Sequence, residues 1–518
     1  MLDDKIDNHP NLTLGGNGGS GAPHDHATEV AGVLNSNHGT YTGVAPGASV
    51  YGYTVAAWED TFDGANWLVG QGCRIITYPF GWPLDGDDLD GSSWESRHVD
   101  FLACDDDVLF AISGNQDTGG YPLPTDAFNA MTVGATVMTA SGRYDQVAAF
   151  NNFDEAPWDG RYKPDLVAPG GYEDWPEQHP QSIYTPTLGG GFENVSGTSF
   201  ASPHVAGVAA LLTQYGNEHA MTTDHNVLKA VLMNSADKTT RDTSGNDWLA
   251  SPAYSNEFIP LDEELGAGQL DALGAYTQYA AGEHEAGVVP LVGWDLNVVA
   301  GEGAEVLYYL DHALLAGTYL TATLAWDRRV VLEDDEDGDG RFDVNDTDWL
   351  TAFPANDLDI NLYDGGGTLL GGSWSGADNL EHLYWQVPQT GDYYLGVELY
   401  EVTDLDAQQY ALAWHAVLES ATLLWTGAFD HRWDIDQTAN WSQASLPLKY
   451  REGDHVIFDD TAAAAPLIDL TATVNPGSVL VNNDAVDFEF GGAGSIAGSC
   501  GLTKNGAAML TIATSNTY

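Results

Sequence analysis

The sequence predicts an α/β domain with a mostly parallel sheet over residues 1–280, an antiparallel β-sandwich over 288–418, and a strand-rich segment over 422–518. Three observations carry this. In the first half, short apolar runs such as Arg74–Tyr78 (RIITY) and Asp107–Ser113 (DVLFAIS) alternate with helical patterns such as Ala27–Asn35 and Val205–Gln214, the order expected of strand–helix–strand units. From about Val288 the period becomes two. In Tyr319–Trp326 (YLTATLAW), Leu320, Ala322, Leu324 and Trp326 share one face, and Thr321 and Thr323 take the other. The same alternation recurs at Leu358–Tyr363 and Tyr393–Leu399, as in an antiparallel sandwich. Beyond Leu423 the chain is rich in Gly, Asn and Thr and breaks into many short strands.

The 518 residues carry 16 Lys+Arg against 76 Asp+Glu, a formal charge of −60. Nucleic acid and anionic membranes need a basic surface and are excluded as partners. No run of 18 apolar residues is present, so no helix is expected to span a membrane. Cys73, Cys104 and Cys500 are too few and too scattered for a disulfide framework or a metal knuckle. High acid, low lysine and scarce cysteine fit a protein secreted into a saline or calcium-rich medium. Composition alone also permits a cytosolic halophile protein.

The most informative stretch is Ser196–Gly207, SGTSFASPHVAG. Gly197 allows close backbone approach, and Thr198 precedes the candidate nucleophile Ser199. Pro203 fits the first turn of a helix. Ala201, Ala206 and Gly207 keep that helix thin enough to cross a crowded core. Ser199 is thereby placed at a helix N-terminus, where N–H groups and the dipole favour a developing oxyanion. A lone GTS string says little; all twelve residues together are specific.

This stretch resembles the serine motif of the subtilisin-like serine peptidases, the subtilases, and implies a subtilisin-like α/β fold with helices on both faces of the sheet. The family's histidine motif resembles HGTxVAG. His26-Ala27-Thr28-Glu29-Val30-Ala31-Gly32 fits it, with Ala27 for the usual Gly; the adjacent His24 is the alternative and reads as a loop residue. Val30, Val33 and Leu34 form an apolar stripe, so a helix starts near His26. Glu29, where the family often has His, reads as a solvated face residue. The family's Asp precedes a segment ending His-Pro-Asp-Leu. His9-Pro10-Asn11-Leu12 anchors that alignment and makes Asp3 the triad acid, with Asp4 the alternative and Lys5 departing from the usual Gly. The order Asp, His, Ser is that of subtilisin. Asn115, after the strand ending Ser113-Gly114, resembles the family's oxyanion-hole Asn. Ile76–Gly81 (ITYPFG) occupies the place of the strand lining the S1 pocket, so Tyr78, Phe80, Gly81 and Gly114 are expected at the substrate, with Pro79 replacing the family's Ser. Pro keeps its carbonyl, which suits an edge that accepts a substrate N–H. Gly43–Val50, Lys163–Gly170 and Gly266–Leu270 resemble scaffold segments, and His204 reads as structural.

Asp335–Asp346 (DEDGDGRFDVND) matches a calcium loop, with carboxylates at positions 1, 3, 5 and 12 and Gly at 6. Asp335, Asp337, Asp339, Arg341 through its carbonyl, and Asp346 are the expected ligands of a structural Ca2+; the chemistry itself needs no cofactor. The 288–418 region resembles sandwich modules of bacterial secreted peptidases, through Asn356–Asp364. Residues 422–518 resemble autotransporter-associated β-strand repeats, which stack as a β-solenoid. Both imply an extracellular or cell-surface protein acting on protein or peptide substrates. No signal peptide is visible, and only Met1 and Leu2 precede Asp3, so the sequence reads as truncated at both ends. Two other readings are an adhesive or matrix protein with an inactive peptidase domain, and a sedolisin-like acid peptidase, against which His26 and Asn115 argue.

Overall fold

The computed structural model describes residues 1–518 except 84–88, 117–121, 140–141, 153–158, 173–182, 334, 336–337, 345–346, 418–421, 436, 444–445, 451–452, 463, 499 and 518. The chain divides into two compact units, Met1–Ala316 with Leu320–Ala416, and Gly317–Tyr319 with Val417–Tyr518.

The N-terminal part of the first unit is built mainly on parallel strands. β1 (Leu2–Asp3), β2 (Leu14–Gly18) and β3 (Val50–Thr54) form a three-stranded sheet in the order β1-β3-β2. β4 (Ile75–Tyr78), β5 (Leu109–Ser113), β6 (Met131–Met138) and β7 (Tyr144–Val147) pair in sequence, and β8 (Leu166–Gly171) also pairs with β6. All these pairings are parallel except β6 with β7. Helices cover both faces, which is why β5 is buried along its whole length and apolar from Leu109 to Ile112 rather than alternating. Leu109 and Ala111 join the core under α1 (Asp25–Asn35), α4 (Ser202–His219) and α5 (His225–Asn234). Phe110 and Ile112 join the core under α2 (Asp60–Gly70) and α3 (Trp94–Asp106). A hairpin of β9 (Ile183–Thr187) and β10 (Gly191–Val195) leads into the Ser199 turn, and α6 (Ala272–Ala281) follows α5.

α4 is thin for a measurable reason: a Cβ on Gly207 would lie 2.6 Å from the Val44 Cβ. In α1, Val30, Val33 and Leu34 are buried as the stripe requires. Glu29 departs from the expected solvated face. It is only 8% exposed, because β9 and β10 cover that side of the helix.

The same unit continues through two further antiparallel sheets. One has the order β11 (Gly287–Val289), β13 (Glu305–Leu310), β20 (Tyr393–Glu401), β17 (Asp357–Asp364), β18 (Leu369–Ser373), with β11 parallel to β13. The other has the order β12 (Val292–Ala300), β21 (Ala407–Val417), β14 (Tyr319–Trp326), β19 (Leu380–Gln386). They share a core in which Leu320, Ala322, Leu324 and Trp326 meet Leu358, Ile360, Leu362, Leu395 and Val397. Thr321 and Thr323, expected to face away from that core, do so but are not solvated. They hydrogen-bond Asn234 Oδ1 at the end of α5, at 2.9 and 3.2 Å. Trp294, Ala411 and Ala413 on that face belong to the α/β core, and the Trp294 indole donates to the Tyr279 carbonyl at 2.9 Å.

A hairpin of β15 (Val330–Glu333) and β16 (Trp349–Ala352) packs on α3, and Val330, Phe342 and Leu350 enter the core under α2 and α3. A buried Arg328 pairs with Asp100 and lies 4.0 Å from the Phe128 ring centroid.

In the second unit, strands Thr422–Trp425, His455–Asp459, Ser478–Asn482 and Gly501–Asn505 pair parallel and in sequence. A second parallel row runs through Arg432–Trp433, Leu467–Leu470, Phe488–Gly492 and Leu510–Ile512. Val456, Phe458, Val479, Val481, Phe488 and Phe490 fill the space between the rows, with Trp425, Trp433 and Trp441. No described helix is long and apolar enough to cross a membrane.

Candidate active site

Asp3 ends β1, where its pairing with Thr54 of β3 holds the backbone. Its carboxylate is nearly buried; Oδ1 accepts from the Asp4 N–H at 2.8 Å and Oδ2 lies 2.8 Å from His26 Nδ1. His26 sits in the first turn of α1 with its ring about one-third exposed. Burial pushes its pKa down, but the Asp3 charge and hydrogen bond, with Glu29 and Asp4 behind them, outweigh that and raise it above 6.5. His24 is the N-cap: its Nδ1 accepts from the His26 N–H at 3.3 Å, and its side chain is 60% exposed.

Ser199 lies in a one-turn 3-10 segment, Thr198–Phe200, directly before α4. Gly197 enters that turn at φ +144°, in the region that favours glycine. The Ser199 hydroxyl donates to the Pro79 carbonyl at 2.8 Å. An open cleft is lined by His26, Ser199 and Thr198, by Pro79, Phe80 and Gly81 after β4, and by Ser113 at the end of β5 with Gly114, Asn115 and Gln116 after it. The sites expected from sequence thus converge, with one correction. Tyr78 is fully buried and does not line the cavity; its ring stacks under Phe80 at 4.5 Å, because alternation along β4 turns it into the core under α2 and α3.

Gln116 and Thr198 also line the cleft, though the sequence does not mark either as functional. Gln116 Oε1 accepts from both the Thr198 N–H, at 3.0 Å, and the Thr198 hydroxyl, at 3.2 Å. No motif marks the residue; its place directly after Gly114-Asn115 was the available signal. Also missed was a carboxyl cluster of Asp25, Glu29 and Glu193 around the Thr187 hydroxyl, which bonds Asp25 at 2.7 Å and Glu193 at 2.8 Å. Burial, then the hydrogen bond and charge of Glu193, push the Glu29 carboxyl up to about 8.

Among the described residues, that cluster and Asp107, Asp224 and His225 are the groups close enough to share an ion. The second is no ligand set, because both His225 ring nitrogens are already engaged by Asp107 and Asp327 at 2.9 Å. In the expected calcium loop, Asp335 accepts from the Gly338 and Gly340 N–H groups, and Asp339 from that of Arg341. Asp335, Asp339 and the Arg341 carbonyl offer oxygen donors, the kind a hard cation takes. The Arg341 guanidinium is turned aside onto Asp106. Asp337 and Asp346 lie outside the described residues.

The family profile described as the subtilase family matches residues 5–258. Subtilisin Savinase of Lederbergia lenta is 31% identical over 233 residues, covering 41% of this chain and 75% of that protein. The chain belongs to the subtilase family. Alkaline elastase YaB of a Bacillus strain is 30% identical over 231 residues, covering 41% of this chain and 53% of its own length. The chain therefore spans about half the length of the curated relatives it matches first. Among solved structures, the prenylagaramide maturation protease PagA aligns with a TM-score of 0.41 at 24% identity, covering 53% of this chain and 91% of that one. The family match begins after Asp3 and ends at residue 258, short of α6 and of the strand-rich remainder.

Proposed function

We propose that this chain is a secreted serine endopeptidase of the subtilisin type. The observation that carries the reading is the 2.8 Å contact of Asp3 Oδ2 with His26 Nδ1 on the wall of the cavity that also holds Ser199 and Asn115. An extended peptide lies along Pro79–Gly81 and Ser113–Asn115. When the Ser199 hydroxyl turns from the Pro79 carbonyl to His26 Nε2, it attacks the scissile carbonyl carbon and His26 takes its proton. Asp3 holds the tautomer with Nε2 free and stabilises the imidazolium. The oxyanion is met by the Ser199 N–H and the Asn115 side chain. Collapse expels the amine, which receives the proton from His26. Water then repeats the sequence on the acyl-enzyme and restores Ser199.

The remaining regions fit accessory roles. The sheets of 288–418 make an antiparallel sandwich. Asp335, Asp337, Asp339, the Arg341 carbonyl and Asp346 would hold a structural Ca2+ that fixes the loop against α2 and α3 and takes no part in the chemistry. The parallel rows of 422–518 fit a β-solenoid of the autotransporter-associated kind, suited to attachment at a cell surface or matrix.

The test is hydrolysis of casein and of a neutral peptide by the wild type and three variants. Ser199→Ala and His26→Ala should abolish turnover while keeping the fold, and His24→Ala should keep it. Inactivation by His24→Ala with His26→Ala active would overturn the assignment. A folded wild type that cleaves nothing would favour the adhesive reading.

A further inference from the structure

The two expected oxyanion donors come from separate elements. Asn115 follows β5, and Ser199 precedes α4, so the local fold of neither fixes the distance between them. The structure joins the neighbour of each. Gln116, next to Asn115, receives both hydrogens of Thr198, next to Ser199. A backbone N–H can only donate, so the amide oxygen is necessarily the atom facing Thr198. The junction is tight: Thr198 is 2% exposed, and a Cβ on Gly197 would lie 3.2 Å from Gln116 Oε1. The Asn115–Gln116 segment is braced from behind, with the Asn152 N–H on the Asn115 carbonyl at 3.0 Å and a β-bridge from Gln116 to Asn151.

We infer that Gln116 is a positioning residue for the oxyanion hole, its side-chain carbonyl clamping Thr198 so that the Asn115 and Ser199 donors converge on one oxygen. The inference rests on the peptidase reading above. Donors aimed at developing charge must be held within about 0.5 Å of their place, and a misplacement of about 1 Å can cost a hundredfold in rate. Loss of the clamp leaves a buried N–H without its acceptor and lets the Ser199 turn relax away from Asn115. The cost falls on the transition state, because the ground-state carbonyl makes little use of either donor.

The experiment is a double-mutant cycle on a neutral peptide substrate, with kcat and KM measured for Gln116→Met, Asn115→Ala and the pair, and melting curves for all. Gln116→Met keeps length and loses the acceptor. The expected result is a kcat loss of roughly ten- to hundredfold with KM within about threefold. In the Asn115→Ala background the same substitution should cost less than about threefold, because one donor is already gone. Thr198→Val removes only the hydroxyl leg of the clamp, is isosteric, and should show a smaller loss with the same non-additivity. That variant decides the matter if Gln116→Met fails to fold. Unchanged kcat in both single variants, or an equal loss in both backgrounds, would overturn the inference and leave the peptidase reading standing. A folded wild type without turnover would overturn both.

Discussion

Replacing Asp327 by Asn should make the stability of the first unit depend on pH in a defined way. His225, at the start of α5, is 4% exposed and lies between two carboxylates, Asp107 on Nδ1 and Asp327 on Nε2, with Asp224 beside it. Asp327 belongs to the segment between β14 and β15, so the pair ties the subtilase domain to the sheets that follow. Burial alone would lower the His225 pKa, but the Asp327 charge and the hydrogen bonds to Asp107 and Asp327 push it up to about 10. Burial would likewise raise the Asp327 carboxyl, yet His225 holds it below its ordinary range. A rise from 6.5 to about 10 converts, at about 1.4 kcal/mol per unit, to a ceiling near 5 kcal/mol. Asp107 is half exposed and Asp327 about a quarter exposed, so water screens both partners, and the loss expected from Asp327→Asn is cut from that ceiling to about 2 kcal/mol.

A histidine raised in the folded state contributes stability that is complete below the unfolded pKa and lost as pH climbs through the folded one. The wild type should therefore exceed Asp327→Asn by about 2 kcal/mol near pH 6, and the gap should close by about pH 10.5. In a unit of this size that corresponds to roughly 3 °C in Tm. The assay is calorimetry and urea unfolding of both proteins from pH 5.5 to 10.5. A gap that is constant over that range, or grows with pH, would show that the imidazolium is not the source.

Glu29→Gln should act in the neighbouring window: a carboxyl raised to about 8 is protonated in the fold and ionised in the unfolded chain, so wild-type stability falls as pH rises from about 4.5 to 8. The variant should lack that slope, by about 1–2 kcal/mol after screening through its exposed partners Asp25 and Glu193, and parallel urea titrations check it. Calcium should raise Tm, and Asp337→Ala with Asp339→Ala should remove the rise; because Phe342 is seated among Phe62, Trp94 and His98, chelation should also speed proteolysis of the α2–α3 region, read by mass spectrometry. Asn115→Ala should lower kcat by about 10²–10³, a magnitude taken from loss of the corresponding donor in a subtilisin, with KM little changed in steady-state assays.

The α/β half was legible because its signals are local. A twelve-residue string around Ser199, the stripe behind His26 and the apolar run of β5 each follow from neighbours in sequence. The position of Asp3 followed from anchoring on His9-Pro10. What escaped depends on contacts between distant segments. Glu29 reads as a surface residue on a helical wheel and is covered by a hairpin more than 150 residues away. Thr321 and Thr323 alternate as a solvated face does, yet α5 supplies Asn234 to meet them. Tyr78 was placed at the substrate by resemblance, while the pleat of β4 turns it inward. The Gln116–Thr198 clamp has no sequence signature, since any polar residue after Gly-Asn reads as a turn.

The most direct test of the central claim is labelling with a biotinylated fluorophosphonate, followed by peptide mapping. One modified serine, Ser199, is expected in the folded wild type. The rate of labelling should rise with pH through a midpoint above 6.5, because His26 must be neutral to accept the proton and Asp3 raises its pKa. Labelling should be lost in His26→Ala. Folded wild-type protein that leaves Ser199 unmodified, or labels it equally in His26→Ala, would contradict the claim that these residues form a working nucleophile.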